Sequence, residues 1–257
     1  MLNKIRIVLV NTSHMGNVGG VARAMKNMGL ENLYLVEPQG NIADQQAVAR
    51  ASGATDLLKN AVVCETLEEA VADCHLVVGT SARSRHIPWP LSNPRECAAR
   101  VAQVCEHENQ VAIVFGRESS GLTNEELHLC NLHVHIPTNE EFSSLNIAAA
   151  VQVLSYEMRL AWLDQQQNLS SKEDSESNAI NWGVDWDYEL ATHEDLERFF
   201  EHLEKTLVDI EFLDPNNPKQ LMTRLRRLYQ RTGIDKVEVN ILRGILSATH
   251  KATQKTK

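Results

Sequence analysis

Three loops carry the residues whose types and order could do chemistry. The stretch VFGRESSGLTNEEL (114–127) leaves an apolar run, passes through a glycine- and serine-rich turn and enters a helix-like TNEEL. A strand, a glycine turn and a helix in that order often hold a phosphate or a nucleotide. Gly116 and Gly121 have the G-x-x-x-x-G spacing of a phosphate loop, but Leu122 and Thr123 stand where Lys and then Ser or Thr are needed. Without that lysine nothing reaches the β- and γ-phosphates, so ATP or GTP hydrolysis is not expected. A nucleophile elbow, G-x-S-x-G, fails too, because Arg117 or Glu118 would have to be its first glycine.

The second loop, NTSHMGNVGGVARAMKNMG (11–29), offers Asn17 as a helix cap and Gly19 and Gly20 as points where another chain or a ligand can approach the backbone. Arg23 falls off the stripe of Val18, Val21, Met25 and Met28, a position that suits either solvent or an anion. The third, GTSARSRHIPWP (79–90), sets Arg83, Arg85 and His86 beside Trp89. Cations for phosphates and an aromatic face for unpaired bases suit RNA, and equally an ordinary exposed loop. A fourth segment, HIPTNEEFSSLNIAAAVQVLSYEM (135–158), places Ser143, Ser144 and Asn146 before a helix that Ser144 or Asn146 could simply start. His133 and His135 share one strand face with no third ligand close in sequence, so they read as structural and no metal is expected.

The elements that must position these loops alternate. Short apolar runs at 5–10, 32–37, 61–65, 75–80, 110–115 and 132–137 predict strands, with helical patterns near 18–28, 45–58, 67–73, 93–106, 123–129 and 145–163. Continuously apolar strands separated by helices predict an α/β fold, a parallel sheet with helices on both faces. Its ligand sites belong at the carboxyl ends of the strands, where the three loops lie. Residues 1–163 form this domain, and the polar stretch DQQQNLSSKEDSESNAI (164–180) reads as a linker. Beyond it Leu196, Phe199, Phe200, Leu203, Leu207 and Ile210 recur at helical spacing over 193–213, Asn217 and Pro218 start another helix, and a last one covers 236–250. Residues 181–257 are therefore read as a small all-helical C-terminal unit.

Composition excludes several classes. With 257 residues, 43% hydrophobic and 23% charged, the chain is an ordinary globular sequence. No apolar run approaches the roughly 20 residues that span a bilayer. MLNKIRIVLVNTS has no small-residue cleavage site and is not read as a signal peptide. Five cysteines, never in C-x-x-C, read as reduced, packed thiols of a cytoplasmic protein. The net charge of −9 is unevenly spread: 12 Lys/Arg against 17 Asp/Glu in 1–163, 3 against 15 in 164–217, and 10 against 2 in 218–257. A basic end on an acidic chain suits a polyanion or, as readily, a solvated helical surface.

Taken together, NVGGVAR (17–23), IVFGRESSGLTNEEL (113–127) and IPTNEEFSSLNIAAAVQVL (136–154) resemble the motifs of the SPOUT superfamily of RNA methyltransferases, in order and spacing, over roughly residues 1–160. With its acidic linker and helical extension the whole chain is similar to the bacterial TrmJ-type branch, which methylates the ribose 2′-OH of cytidine or uridine 32 in tRNA. The resemblance implies a deep trefoil knot, which periodicity would never predict, and a bent S-adenosylmethionine held within it. By motif, its contacts would be Thr80, Ser81, Ala82, Gly116, Ile136, Ser143, Ser144 and Leu145. It also implies a homodimer with the active site at the subunit interface, where Arg23 reaches the partner's cofactor, and catalytic roles for Arg23, Glu118, Ser144 and Asn146. A guanidinium stays protonated, so Arg23 is expected to bind phosphate and a developing alkoxide rather than act as a base. RNA contacts are expected from Arg23, Arg83, Arg85 and Arg117, with Arg224, Arg226, Arg227 and Arg231 of the extension adding phosphate grip. The alternatives are another RNA target, ribosomal RNA or a different tRNA position, and a non-catalytic RNA-binding protein.

Overall fold

Strand β1 (Ile5–Val10) is buried along its whole length, as its unbroken apolar sequence requires of a strand covered on both faces. A computed structural model describes residues 1–81, 91–106, 108–170 and 188–254. Within them β1 joins β2 (Asn32–Val36), β3 (Val62–Cys64), β4 (Leu76–Thr80), β5 (Leu91–Ser92), β6 (Val111–Phe115) and β7 (Leu132–Val134) in one sheet of order β3-β2-β1-β6-β4-β7-β5. Every pairing is parallel, with Ile5 opposite Val111, Tyr34 opposite Val62 and Val78 opposite Leu132. The expected α/β class and six expected strands are present, and β5 is an addition. Two residues long, it offers no periodicity to read.

Alternate residues of the strands face opposite layers. Val8, Val10, Val77, Ala112 and Val114 pack with α4 (Leu67–Val71) and with Leu127 of α6 (Asn124–His128). The other layer consists of α1 (Met15–Met28), α5 (Pro94–Glu106) and α7 (Ile147–Ser170), with α7 touching both of the others. Arg6 is the one charged residue in β1. Its guanidinium clamps both oxygens of Asp73 at 2.7 Å, donates to Ala70 O at 2.9 Å and lies over the Tyr34 ring, so the buried charge is fully paired.

Three boundaries differ from expectation. The helix expected over 45–58 is broken: α2 (Gln45–Ala51) ends at Ser52, whose φ of 52° is left-handed, and α3 (Thr55–Lys59) restarts after one 3-10 turn. The strand expected to 137 stops at Val134, and 135–146 forms a largely irregular, exposed segment. Helix α7 runs on to Ser170, into residues assigned to the linker. Leu163 and the following glutamines are sound helix formers, and Gln165 is tied to Ala102 O and Glu106. The remainder of that linker, 171–180, lies outside the described residues.

The chain forms two compact units, residues 1–183 and 184–257. In the second unit α8 (His193–Asp209) buries Leu196, Phe199, Phe200 and Leu203 against Ile234 and against Val239 and Leu246 of α10 (Lys236–Gln254). Tyr229 of α9 (Leu221–Gln230) meets Phe199 edge-on at 4.9 Å. Helix α9 begins three residues later than Pro218 suggests, because Asp214 closes a turn on Asn216 and Asn217 first.

All five cysteines are buried and unpaired with one another. Burial pushes the thiols of Cys74 and Cys97 up to about 12, so they are inert packing groups.

Candidate active site

The carboxyl ends of β4, β6 and β7 open into a cavity of about 460 Å³, a volume in the range of small-molecule sites. Its walls come from Thr80 and Ser81 after β4, the loop 115–122 after β6, and 134–136 and 143–147 after β7. Short main-chain ties hold these walls together. The Thr80 hydroxyl donates to Val114 O at 3.0 Å, Ser81 N donates to Val134 O at 3.0 Å, and His135 Nδ1 lies 3.1 Å from Ser81 O.

The 116–121 loop closes on itself. Arg117 and Gly121 exchange backbone hydrogen bonds at 3.2 and 2.9 Å. A Cβ on Gly116 would stand 2.1 Å from Gly121 C and 2.2 Å from Leu122 N, so only glycine permits this closure. After the loop Thr123 caps α6 in a capping box with Glu126, and Glu126 also receives both hydrogen bonds of Arg117, at 2.9 and 3.0 Å. Arg117 lines the cavity, but its guanidinium, expected to contact RNA, is engaged with Glu126 in fixing the loop.

Glu118 gathers the three motifs. Its carboxylate accepts from Ser13 N and Oγ at 3.2 Å, from His14 N at 3.3 Å and from Asn17 Nδ2 at 3.1 Å, at the start of α1. Asn17 Oδ1 in turn accepts from Asn146 Nδ2 at 3.0 Å, and Asn146 Oδ1 takes Ala148 N at 2.9 Å. Asn146 is thus both the helix-start residue and a member of the site. Burial would raise the Glu118 carboxyl, but the Asn17 amide and the backbone N–H groups of Glu118, Ser13 and His14 outweigh it and hold the group below its ordinary 4.5. A lowered carboxyl stabilises the fold above its ordinary pKa and loses that contribution as pH falls through the folded value. The melting-temperature difference between wild type and Glu118→Gln should accordingly be present at pH 7 and shrink below about pH 4.5. A difference that stays constant from pH 7 to 3 would contradict the network.

The structure brings together Thr80, Ser81, Gly116, Glu118, Ile136, Ser143, Ser144, Leu145 and Asn146 around this one cavity. It does not bring Arg23 to it: Arg23 is exposed on α1, away from its own chain's cavity. Ala82, Arg83 and Arg85 lie outside the described residues. Asn17 was missed as a site residue. It sits within the first turn of α1, where His14 is the N-cap, and its side chain serves Glu118 and Asn146 instead of the helix end. Gly19 and Gly20 admit neighbouring helices of the same chain. A Cβ on Gly19 would meet Ala47 O at 2.0 Å, and one on Gly20 would lie 3.1 Å from the Ala148 Cβ. His133 is buried with Nε2 on Leu127 O at 3.1 Å, which accounts for it structurally.

In the second unit Arg224 and Arg231 are exposed. Arg226 is engaged elsewhere, paired with Glu197 and lying over the Phe200 ring, and Arg227 is half-buried with a partner of its own. Of the four arginines expected to grip phosphate there, two are therefore open to do so.

Comparison with known proteins places this geometry. The SpoU rRNA Methylase family matches residues 4–156, and the C-terminal domain of the tRNA methyltransferase TrmJ matches residues 194–257. The chain is 57% identical over 254 residues to the tRNA (cytidine/uridine/adenosine-2′-O-)-methyltransferase TrmJ of Pseudomonas aeruginosa, covering 99% of this chain and 96% of that one. Among solved structures it is similar to TrmJ from Z. mobilis, with TM-score 0.76 and 32% identity over 95% of this chain and 98% of that one. It is also similar to a probable methylase family protein from Haemophilus influenzae, with TM-score 0.63 and 44% identity over the whole of both chains. The α/β domain with its motif loops and the helical unit that follows it in sequence make this chain a member of the SpoU methylase family and, within it, of the TrmJ tRNA methyltransferases.

Proposed function

We propose that the protein transfers a methyl group from S-adenosylmethionine to the ribose 2′-OH of cytidine or uridine 32 in the tRNA anticodon loop, in the cytoplasm and as a homodimer. The observation that carries this reading is the single cavity into which Asn17, Gly116, Glu118, Ser144 and Asn146 converge from three separate motifs. A purely RNA-binding protein needs no such constellation, and the curated relative acts on tRNA 2′-oxygens.

The cavity suits the cofactor. Leu122, Ile136, Leu145 and Ile147 offer apolar surface for a nucleoside, while Thr80, Ser81, Ser143, Ser144 and backbone groups offer polar contacts. Glu118 adds negative charge on the wall, which favours a cationic ligand. When bound, S-adenosylmethionine supplies an electrophilic methyl group. The protein's own work is then positional, since aligning the 2′-oxygen with the methyl is a large part of an in-line displacement. Glu118, Asn17 and Asn146 hold the start of α1 and the start of α7 in one register. Arg23 of the partner subunit binds the phosphate next to the target ribose and stabilises the developing alkoxide, and the proton leaves to phosphate or water.

The helical unit, residues 181–257, is the tRNA-binding extension in this reading, with Arg224 and Arg231 as its phosphate contacts. An Arg224→Ala/Arg231→Ala variant should lower the slope of log affinity for tRNA against log salt by about two. Arg226→Ala should instead lower the melting temperature. An unchanged slope in the double variant would remove these arginines from the interface. The proposed activity itself is tested by incubating the protein with methyl-labelled S-adenosylmethionine and unmodified tRNA or ribosomal RNA. Label is expected in the tRNA alone; label in ribosomal RNA alone, or in neither, would overturn the reading.

A further inference from the structure

Arg50 is a cation laid on the start of α1 without an anion among the described residues. It lies in the last turn of α2, exposed, and among the described residues no ion pair or hydrogen bond engages its guanidinium. The last turn of α2 explains why a cation is tolerated there. It does not explain where the side chain goes, which is across to the first turn of α1. A Cβ on Gly16 would stand 3.0 Å from Arg50 Nε and 3.1 Å from its Cδ, so the arginine side chain lies close over the glycine. Gly19 and Gly20 of the same helix pack against neighbouring helices; Gly16 lies under an arginine.

The position has two further properties. Gly16 adjoins Asn17, which lines the cavity and ties Glu118 to Asn146. Gly16 and Arg23 are seven residues apart, which places them on one face of α1 with a rise on the order of 10 Å between them. Arg23 is likewise exposed, with no carboxylate partner among the described residues.

We propose that Arg50 is a phosphate-binding residue for the RNA substrate, and that with Arg23 it forms a rail of two cations along α1 for the RNA backbone. Arg50 does not line the cavity and takes no part in the transfer step. It is a positioning residue, and the inference rests on the methyl-transfer reading above. The ligand is the phosphodiester backbone of tRNA, and a guanidinium can grip a phosphate with two donors where an ammonium offers a point charge.

The test uses the full-length protein with tRNA. Arg50→Ala should raise KM for tRNA about five- to tenfold, leave kcat within about twofold, and lower the slope of log affinity against log salt by about one. Arg50→Lys should restore the slope and most of KM. The affinity for S-adenosylmethionine should not move, because Arg50 does not line the cavity, and the melting temperature should move little, because Arg50 is exposed on α2. An unchanged salt slope and KM in Arg50→Ala would overturn the proposal, as would a loss confined to kcat. Wild-type protein that transfers no methyl group to tRNA would overturn the methyl-transfer reading, and the salt slope from binding alone would still decide whether Arg50 holds phosphate.

Discussion

Arg23→Ala should lower kcat for methyl transfer by about 100- to 1,000-fold while leaving the affinity for S-adenosylmethionine within about twofold, the loss typical of removing a single charge-stabilising donor. The expectation follows from where Arg23 stands. It is exposed on α1 and does not reach the cavity of its own chain, so its removal leaves the cofactor walls untouched. In the proposed mechanism its role is confined to phosphate and to the charge that develops on the 2′-oxygen, in the cavity of the partner subunit. A mixed dimer gives the sharper form of the same experiment. One subunit carrying Arg23→Ala and the other Glu118→Gln should keep one complete site, with activity near half that of wild type. Equal loss in the mixed dimer and in both parents would place Arg23 within its own chain's site.

Gly116→Ala should weaken binding of S-adenosylmethionine by at least about 30-fold, equivalent to roughly 2 kcal/mol. The added methyl carbon would fall 2.1 Å from Gly121 C and 2.2 Å from Leu122 N. Both are backbone atoms, so no side chain can turn aside to relieve the contact. The loop must open, and with it the paired hydrogen bonds between Arg117 and Gly121. Calorimetric titration reads the effect directly, and wild-type affinity in the variant would mean that this loop is not a wall of the cofactor site. Arg117→Ala is expected to act more mildly through the same loop, because Glu126 keeps its capping bonds to Thr123 without it.

How much of this was legible in the sequence follows from physical scale. The parallel sheet was legible because strands buried on both faces must be apolar throughout, as IRIVLV and VAIVF are. The two-residue β5 had no period to reveal it, and Ser52 breaks its helix through a left-handed backbone that serine does not advertise. The cavity-facing set was legible from the three motifs jointly, because each contributes a loop at a strand's carboxyl end. Asn17 was not, because capping a helix and bridging Glu118 to Asn146 call for the same residue type in the same place. The division of the arginines was hidden for a related reason. Arg117 and Arg226 find their carboxylates, Glu126 and Glu197, only after folding, and the second of these lies 29 residues away.

The central claim is the position and chemistry of the modification, and one measurement addresses both. Wild-type protein, S-adenosylmethionine and an unmodified tRNA carrying cytidine or uridine at position 32 are incubated, and the tRNA is digested and mapped by mass spectrometry. The names of curated relatives differ in whether adenosine is included among the nucleosides, so a tRNA with adenosine at 32 belongs in the same series. A single added methyl group on the ribose 2′-oxygen of nucleotide 32, absent with Arg23→Ala, is the predicted result. A methyl group on a base, or on the ribose of any other nucleotide, would contradict the account.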